Sequence, residues 1–373
     1  MFKVPGRFGD YASTCFERMR ILFDGYWLMN GPPSGQMVLI ETIRAWTVRF
    51  PEDEIIAAVP RHKLQAEVDL PKSVRVVKTR LRIHPLINFI ELRRVSRRVG
   101  GVDAFFCQNF ATPSKSSAVF LHDVLFQSNP EWFTKLERAY FGLMARMART
   151  AHVVLTSSKS ERSRIQRYNP MLRNVVHTGL GISRVFADGT APQKVPNLNP
   201  RSFILSVGRL NARKNLRRTI EGALESGVLS REFPLVIVGE ASGKTEALSD
   251  ASQAAIVDGR VRFLGFVSTE ELLWLYGNAA LMTFLSLDEG YGLPPVEAML
   301  VGTRVLASEI PVMREVLGDY ADYVDPTNVV AISRAVRSAC LDRSSLRTTA
   351  AAPTWQHVVE ISRDALLTAS YSR

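Results

Sequence analysis

Short apolar runs, each the length of a β-strand, alternate with helix-like stretches along almost the whole chain of 373 residues. In the first half these runs lie at 21–23, 54–59, 74–77, 104–106, 117–121 and 153–156. Such alternation is typical of a parallel sheet that is covered by helices on both faces. We therefore predict an α/β fold built from doubly wound, Rossmann-like sheets.

One polar segment divides the alternation into two blocks. Residues 188–200, DGTAPQKVPNLNP, hold three prolines and no apolar periodicity, which is typical of a linker. The alternation restarts near residue 203, so we predict an N-terminal domain over 19–187 and a C-terminal domain over 201–354, facing each other across a cleft. A helix is expected within 355–373. Ligands of open parallel sheets bind outside the carboxyl ends of the strands, so that cleft is the expected site.

The N-terminal residues 1–18 have no apolar segment of the kind found in a secretory signal. We predict that these residues form a loose arm. A translation start at Met19 would leave the same sequence pattern. Cys15, Cys107 and Cys340 are too few and too scattered for a disulfide framework or a zinc site. The sequence thus predicts a cytoplasmic protein without a bound metal.

The charge balance favours anionic partners. The chain has 47 basic and 36 acidic residues, a net charge of +11, which suits nucleic acid, anionic lipid or phosphorylated substrates alike. Its longest apolar runs fall far short of the roughly 20 residues that cross a bilayer. Nothing in the sequence therefore predicts a membrane-spanning segment.

A basic loop follows the strand-like run at 203–207. The segment Gly208 to Asn215, GRLNARKN, places Arg209, Arg213 and Lys214 at a strand's carboxyl end just before a helix. Such cations can hold a diphosphate through charge-assisted hydrogen bonds. A solvated basic loop explains the same residues equally well.

A second loop, EGYGLPPVEAM, carries two glutamates around a helix start. Gly290 and Gly292 permit a tight turn, and the following prolines suit a first helical turn. The amides of Gly292 and Leu293 would then favour an anion. We expect Glu289 before the helix and Glu297 inside its first turn, where their carboxylates can accept sugar or ribose hydroxyls. Taken singly, each glutamate has a simpler interpretation. Glu297 would be a helix residue favoured by the helix dipole, and Glu289 would be a solvent-facing loop acid.

His122 directly follows the strand-like run at 117–121, which makes it a residue of the cleft. It can hydrogen-bond a sugar hydroxyl or, when protonated, face a developing negative charge, with Asp123 orienting its ring. A lone histidine is more often structural than catalytic. Only the position of His122 at a strand end supports a functional role.

Two further segments carry weaker signals. Residues 239–245, GEASGKT, have three residues between the glycines where a nucleotide-cradling P-loop needs four, so we predict an ordinary turn. Residues 84–99 predict a basic amphipathic helix that either rests on an anionic membrane or packs as a surface helix with a solvated basic face. In that helix the apolar and basic sides are Leu86, Ile87, Ile90 and Val95 against Arg93, Arg94, Arg97 and Arg98.

Four segments together resemble the retaining nucleotide-sugar glycosyltransferases of family 4, also called group 1, which have the two-domain GT-B fold. They are HDVLFQSNPEWF at 122–133, SVGRLNARKNL at 206–216, the stretch 261–308 with EGYGLPPVEA, and PVMREVLGDYADYVDP at 311–326. The resemblance spans residues 20–355. It implies that the final helix crosses back onto the first domain.

The resemblance also implies roles for individual residues. Arg209 and Lys214 would hold the donor diphosphate, Glu289 would contact the transferred sugar, and His122 would lie beside its reacting face. Glu297 would contact the ribose, and the remaining donor-binding positions are Gly35, Gly208, Phe266, Val267, Gly290, Tyr291, Gly292 and Leu293. Of these, Phe266 and Val267 would contact the base through their backbone. The first loop departs from the family's glycine pair, and only Gly35 is expected to serve there.

These observations predict a cytoplasmic glycosyltransferase that needs no metal or other cofactor. It would transfer a hexose, with retention of the anomeric configuration, to a glycan or lipid-linked acceptor, as in polysaccharide biosynthesis. Mannose from GDP-mannose is the first donor that we expect. We do not expect nucleic acid as a partner, whereas contact with an anionic membrane at the inner face of the plasma membrane fits the basic helix. The alternatives are a nucleotide-sugar epimerase and a non-catalytic basic docking protein. The base, acceptor, linkage and oligomeric state are left open.

Overall fold

The structure is a computed structural model that describes residues 18–29, 31–62, 69–186, 190–241, 244–342 and 353–368. The predicted arm therefore lies almost wholly outside the described residues. The first sheet has seven strands in the order β3-β2-β1-β4-β5-β6-β7. Its strands are β1 (Arg20–Asp24), β2 (Glu54–Pro60), β3 (Arg75–Thr79), β4 (Ala104–Gln108), β5 (Ser117–Leu121), β6 (Val153–Thr156) and β7 (Val175–His177).

The second sheet has six strands in the order β10-β9-β8-β11-β12-β13. They are β8 (Ile204–Val207), β9 (Leu235–Val238), β10 (Val261–Gly265), β11 (Leu281–Phe284), β12 (Val305–Ser308) and β13 (Asp322–Val324). The strand pairs of both sheets are parallel. The fold class is confirmed. The short strands β7 and β13 were not predicted, because three residues give too brief an apolar signal.

Helices connect successive strands and cover the sheets. They are α1 (Pro33–Arg49), α2 (His84–Leu86), α3 (Leu92–Arg98), α4 (Leu125–Ser128), α5 (Lys135–Ala148), α6 (Lys159–Tyr168), α7 (Leu216–Glu225), α8 (Asp250–Val257), α9 (Thr269–Asn278), α10 (Leu293–Leu300), α11 (Pro311–Leu317), α12 (Val329–Leu341) and α13 (Trp355–Leu367). A π-helical turn at Ile87–Glu91 joins α2 to α3. Local sequence fixes several starts: Thr134 with Glu137, and Ser268 with Glu271, form capping boxes.

The inner strands of both sheets are mostly apolar and buried, as a sheet between two helical layers requires, whereas the edge strand β3 is largely exposed. In each sheet the chain order reverses once, between β1 and β4 in the first and between β8 and β11 in the second. The loops that follow these strands are where open parallel sheets bind ligands. Residues 190–200 of the predicted linker form neither helix nor strand.

The last described helix, α13, follows the second sheet in sequence but packs against α1 of the first domain. Its Arg363 donates to both carboxylate oxygens of Asp53, at 2.8 and 3.1 Å. Asp53 also accepts from the Trp46 indole at 3.0 Å and from the Met19 amide at 2.9 Å. A buried ion pair therefore links the end of the chain to its first strand and helix.

Candidate active site

The loop after β8 is shaped by its asparagines and by Gly208. The Asn211 side chain caps the short turn that contains Lys214, accepting from its amide at 3.3 Å. Asn215 adopts the left-handed conformation, which asparagine tolerates, and donates to the Leu285 carbonyl at 3.0 Å. A Cβ on Gly208 would lie 3.0 Å from Cε of Lys214. The loop is thus tied to the end of β11, with the lysine side chain lying across the glycine.

Glu289, after β11, sits between two cations of that loop. Its Oε1 accepts from Lys214 Nζ at 2.5 Å, and its Oε2 pairs with the guanidinium of Arg213. Burial opposes ionisation here, but the charges of Arg213 and Lys214 prevail and lower the pKa of Glu289 to about 2. Arg213 also donates to the Asp288 carbonyl at 3.2 Å. Glu289 is therefore a fixed carboxylate at neutral pH.

Lys214 is held in a partly apolar setting. Its ammonium lies 4.4 Å from the centre of the Phe284 ring. Burial lowers the pKa of Lys214 to about 8, although the charge of Glu289 opposes that shift. The group is still mainly protonated at pH 7, and it keeps N–H donors beyond the one that Glu289 accepts.

Arg209 is the cation that the resemblance paired with Lys214 at the donor diphosphate. In the structure its contacts differ from those of Arg213. Arg209 is exposed, and none of the ion pairs among the described residues includes it. Loss of solvent and the charge of Arg213 lower the pKa of Arg209, whereas Asp123 and Glu289 oppose that shift. Arg209 therefore lies close enough to feel the same charges, but Arg213 makes the contact with Glu289. The sequence showed Arg213 as part of the basic run without giving it a separate role.

The glycine loop between β11 and α10 packs directly on the N-terminal domain. A Cβ on Gly290 would lie 2.5 Å from the backbone oxygen of His122. The Ser157 and Ser158 hydroxyls donate to the Gly290 carbonyl at 3.1 and 2.8 Å. The Tyr291 hydroxyl donates to the Leu180 carbonyl at 3.2 Å. The loop is thus anchored to the strand ends of the other sheet.

Arg164, on α6, adds a charged contact across the same boundary. Its guanidinium pairs with Asp288 at 2.5 Å and donates to the Glu289 carbonyl at 3.2 Å. Neither Arg164 nor the serines were predicted, because each lies more than 120 residues away in sequence from the loop it holds. Spacing within the chain gives no signal of such contacts.

Gly292 is the N-cap of α10 and has a φ of +96°, a conformation that favours glycine. The first N–H groups of a helix have no acceptor inside it, and since Pro294 and Pro295 carry no N–H, the amides of Gly292 and Leu293 are the ones here that can meet an anion. One expectation is wrong: Glu297 is the fifth residue of α10 and lies beyond its first turn. The helix begins at Leu293, ahead of the prolines, because proline is accommodated at positions that need no amide donor.

Glu297 instead faces a tyrosine. Its Oε2 accepts from the Tyr276 hydroxyl of α9 at 2.8 Å. Burial raises the pKa of Glu297 to about 7, and the tyrosine hydrogen bond opposes that rise. Tyr276 was not predicted as a partner. The two loop glutamates therefore differ sharply in charge near neutral pH.

His122 is positioned by a residue of the neighbouring strand. Its Nε2 lies 2.7 Å from the side-chain oxygen of Gln108, which is buried at the end of β4. Asp123 was expected to orient the ring, but its carboxylate accepts from the Leu125 amide at 3.2 Å. Burial lowers the pKa of His122 to about 4, which favours the neutral ring at pH 7 and the hydrogen-bonding role, and that role stays a prediction. The Trp27 ring centroid lies 5.4 Å away.

The remaining predicted positions lie at strand ends or close to them. Gly35 is in the first turn of α1, and a Cβ there would lie 2.6 Å from the Trp27 ring, so its close approach is to that indole. Phe266 and Val267 follow β10, with Phe266 largely exposed. The donor contacts of these three residues stay predictions.

The P-loop-like segment forms a supporting turn. Its Gly239 amide donates to the Gly265 carbonyl at 2.9 Å, and the Ala212 amide donates to the Lys244 carbonyl at 2.7 Å. Residues 242 and 243 lie outside the described residues. The described part of this segment thus holds the basic loop in place.

The described residues lack a metal cluster and a membrane-spanning helix. Among them, no three histidine, cysteine or acidic side chains are grouped so that they could share a metal ion. Nor do they contain a helix with the length and apolar character needed to cross a bilayer.

The sequence of the C-terminal half matches a known family. Residues 189–352 match the family described as Glycosyl transferases group 1. These residues include the basic loop, the glycine loop and both glutamates described above. The C-terminal half therefore carries a group 1 glycosyltransferase domain.

Curated relatives of this chain are 27% to 32% identical to it over the segments that align. The O-antigen chain mannosyltransferase B of Escherichia coli is 28% identical over 63% of this chain and 65% of that protein. The O-antigen chain mannosyltransferase RfbU of Salmonella typhimurium is 27% identical over 73% of this chain and 76% of its own length. The serotype-specific mannosyltransferase WbdA of Escherichia coli is 32% identical, but over 40% of this chain and 18% of WbdA.

Solved structures share the fold of this chain at low sequence identity. Sucrose-phosphate synthase from Thermosynechococcus elongatus has a TM-score of 0.63 at 15% identity, covering 94% of both chains. Anabaena HepE in complex with UDP-glucose has a TM-score of 0.61 at 18% identity, covering 94% of this chain and 97% of HepE. These neighbours support the two-domain GT-B architecture.

Proposed function

We propose that this glycosyltransferase moves a hexose, mannose from GDP-mannose in the first instance, to a glycan or lipid-linked acceptor, with retention and without a metal. The observation that carries the proposal is the Arg213–Glu289–Lys214 cluster, which lies beside the start of α10 and opposite His122. A diphosphate needs cations and amide donors, and the transferred sugar needs a carboxylate, so the cluster offers both. The mannosyltransferase names of several relatives support mannose as the sugar.

In the proposed reaction the bond between the anomeric carbon and the donor's phosphate oxygen breaks. Negative charge then grows on the leaving diphosphate and positive charge on the sugar ring. Lys214, Arg213 and the amides of Gly292 and Leu293 would lie where the negative charge develops, and each well-placed donor contributes about 3 to 4 kcal/mol of transition-state stabilisation. Glu289 stays ionised and faces the sugar.

Retention follows if the acceptor hydroxyl approaches the face from which the diphosphate leaves. Its oxygen forms the new bond to the anomeric carbon, and its proton passes to an oxygen of the departing phosphate. His122, neutral and held by Gln108, would accept or donate a hydrogen bond at a sugar hydroxyl. This route needs no side-chain nucleophile on the opposite face.

The proposal is tested by incubating the purified chain with GDP-mannose, GDP-fucose, UDP-glucose and UDP-N-acetylglucosamine, and measuring nucleotide release. We expect slow hydrolysis of one of these nucleotide sugars, with GDP-mannose as the first candidate. Lys214→Ala or Arg213→Ala should lower the rate of hydrolysis by about 100-fold or more. The matched control is Arg217→Ala, which removes a cation of α7 that pairs with Glu221 outside the cluster. Equal losses in all three variants, or no binding of any nucleotide sugar, would contradict the proposal.

A further inference from the structure

Two neighbouring helical segments of the N-terminal domain expose apolar and basic side chains together. We propose that they form a docking face for an anionic membrane. This docking face comprises the exposed apolar residues of segment 83–98 and of α5, together with the arginines of α3. Its members are Ile83, Leu86, Phe89, Ile90, Leu136, Tyr140, Leu143, Arg93, Arg94 and Arg97.

The 83–98 segment divides cleanly into a buried and an exposed side. Ile87, Leu92 and Val95 are fully buried against the sheet, whereas Ile83 and Phe89 are 55% and 46% exposed. The predicted apolar side is thus partly wrong, because Ile87 and Val95 pack inward while Leu86 and Ile90 face outward. A π-helical turn contains more residues than an α-turn, so a face assigned from α-helical spacing loses its register here.

The inward side of this segment makes polar as well as apolar contacts with the interior of the domain. His84 Nε2 donates to the Asp24 carboxylate at 2.6 Å, and Asn88 donates to the same carboxylate at 2.8 Å. His84 also stacks on the Tyr26 ring with a centroid distance of 4.2 Å. The segment is thus anchored to the domain by its inward side, while Ile83, Leu86, Phe89 and Ile90 are exposed.

Helix α5 continues the same face. Leu136, Tyr140 and Leu143 are spaced by four and three residues, which places them on one side of the helix, and all three are exposed. The Tyr140 ring packs edge-on against Phe110 at 5.1 Å, and Phe110 packs against His84 at 5.0 Å. One shared phenylalanine thus joins the two helical segments beneath the surface.

The charges identify the partner. Phe89, Ile90, Arg93, Arg94 and Arg97 line one shallow recess, so apolar and cationic groups meet at the same place. A helix that lies in a membrane interface sinks its apolar side chains below the head groups and pairs its arginines with lipid phosphates. An acidic protein surface would pair with the arginines but would leave the apolar residues of two helices exposed.

The docking face adjoins the acceptor side of the cleft. The Trp27 ring lies 5.8 Å from the His84 ring and 5.4 Å from the His122 ring. The Trp27 side chain thus lies between His84, which is buried beneath the docking face, and His122 at the proposed site of sugar transfer. Resting on the proposed function, this geometry favours an acceptor anchored in the lipid over a free glycan.

The test is vesicle flotation of the whole chain at low salt. We expect binding to vesicles of phosphatidylglycerol and phosphatidylcholine and little binding to pure phosphatidylcholine. Arg93→Glu with Arg97→Glu should weaken binding by at least about tenfold, and Phe89→Ser with Ile90→Ser should do the same. The matched control is Arg334→Glu with Arg337→Glu, two exposed arginines on α12 of the other domain, which should leave binding unchanged.

Three outcomes would overturn the docking face: no binding by the parent chain, equal weakening by the control, or binding that is indifferent to Phe89 and Ile90. Nucleotide-sugar hydrolysis without vesicles is measured on every variant and should stay at the parent level, which shows that each is folded. Hydrolysis without vesicle binding refutes the docking face and leaves the proposed function standing. Vesicle binding without hydrolysis of any nucleotide sugar refutes the proposed function alone.

Discussion

Glu289 and Glu297 show how burial and neighbours set the chemistry of two like residues. Glu289 lies between Arg213 and Lys214, which lower its pKa to about 2 despite burial. Glu297 is buried with the neutral hydroxyl of Tyr276 as its partner, and its pKa rises to about 7. One carboxylate is therefore permanently charged, while the other titrates near neutral pH.

The raised pKa of Glu297 predicts a pH dependence of donor binding. Below about pH 7 the carboxyl is protonated and loses acceptor capacity toward a ribose diol, so nucleotide affinity should rise several-fold from about pH 6 to about pH 8. Calorimetric titration of the nucleotide at several pH values measures this. Tyr276→Phe should move the midpoint upward, because the tyrosine hydrogen bond favours the ionised form.

Glu297→Gln should bind the nucleotide more weakly and remove the rise with pH. Glu270→Gln is the control, since Glu270 lies on α9 and is outside the contacts described here for Glu297. A rise with pH that survives in Glu297→Gln would assign the titration to another group.

At the scale of elements, the glycine loop before α10 acts as the contact between the two sheets. The Gly290 carbonyl accepts from Ser157 and Ser158, and a side chain at Gly290 would meet the His122 backbone. The start of α10 and the end of β5 are thus held at a fixed separation. Since catalysis depends on close placement of the reacting groups, we expect this contact to affect turnover.

We expect Gly290→Ala to lower kcat by at least about tenfold, because its Cβ would lie 2.5 Å from the His122 oxygen and the loop would have to move. The control is Gly277→Ala on α9, where a Cβ has nothing within 4 Å. That change should leave kcat intact and raise stability by about 0.5 to 1 kcal/mol. Steady-state kinetics and thermal melts of both variants check this, and an unchanged kcat for Gly290→Ala would contradict it.

At the scale of the whole molecule, α13 connects the end of the C-terminal half to the first domain. The pair between Arg363 of α13 and Asp53, which follows α1, is almost fully buried. The pair between Arg49 of α1 and Glu360 of α13 lies at the surface. A buried charge that loses its partner costs far more than an exposed one. Docking of α13 should therefore depend on the buried pair.

Arg363→Met should lower the free energy of unfolding by about 3 to 5 kcal/mol, because it leaves the Asp53 carboxylate buried without its partner. Arg49→Met is the matched control and should cost about 0 to 1 kcal/mol. Urea denaturation followed by circular dichroism measures both. Similar losses in the two variants would show that the buried pair is not what holds α13.

Local sequence by itself determined the fold class and the loops that carry the site. Alternating strand-like and helix-like runs require parallel sheets, and the carboxyl ends of their strands are where ligands bind, so the loops at 208–215 and 288–293 followed without coordinates. Tertiary structure decided the pairing within them. That Arg213 contacts Glu289, that Tyr276 contacts Glu297, and that Gln108 holds His122 depends on neighbours in space. Burial and through-space charge set each side chain's partner and pKa, and neither is encoded in spacing along the chain.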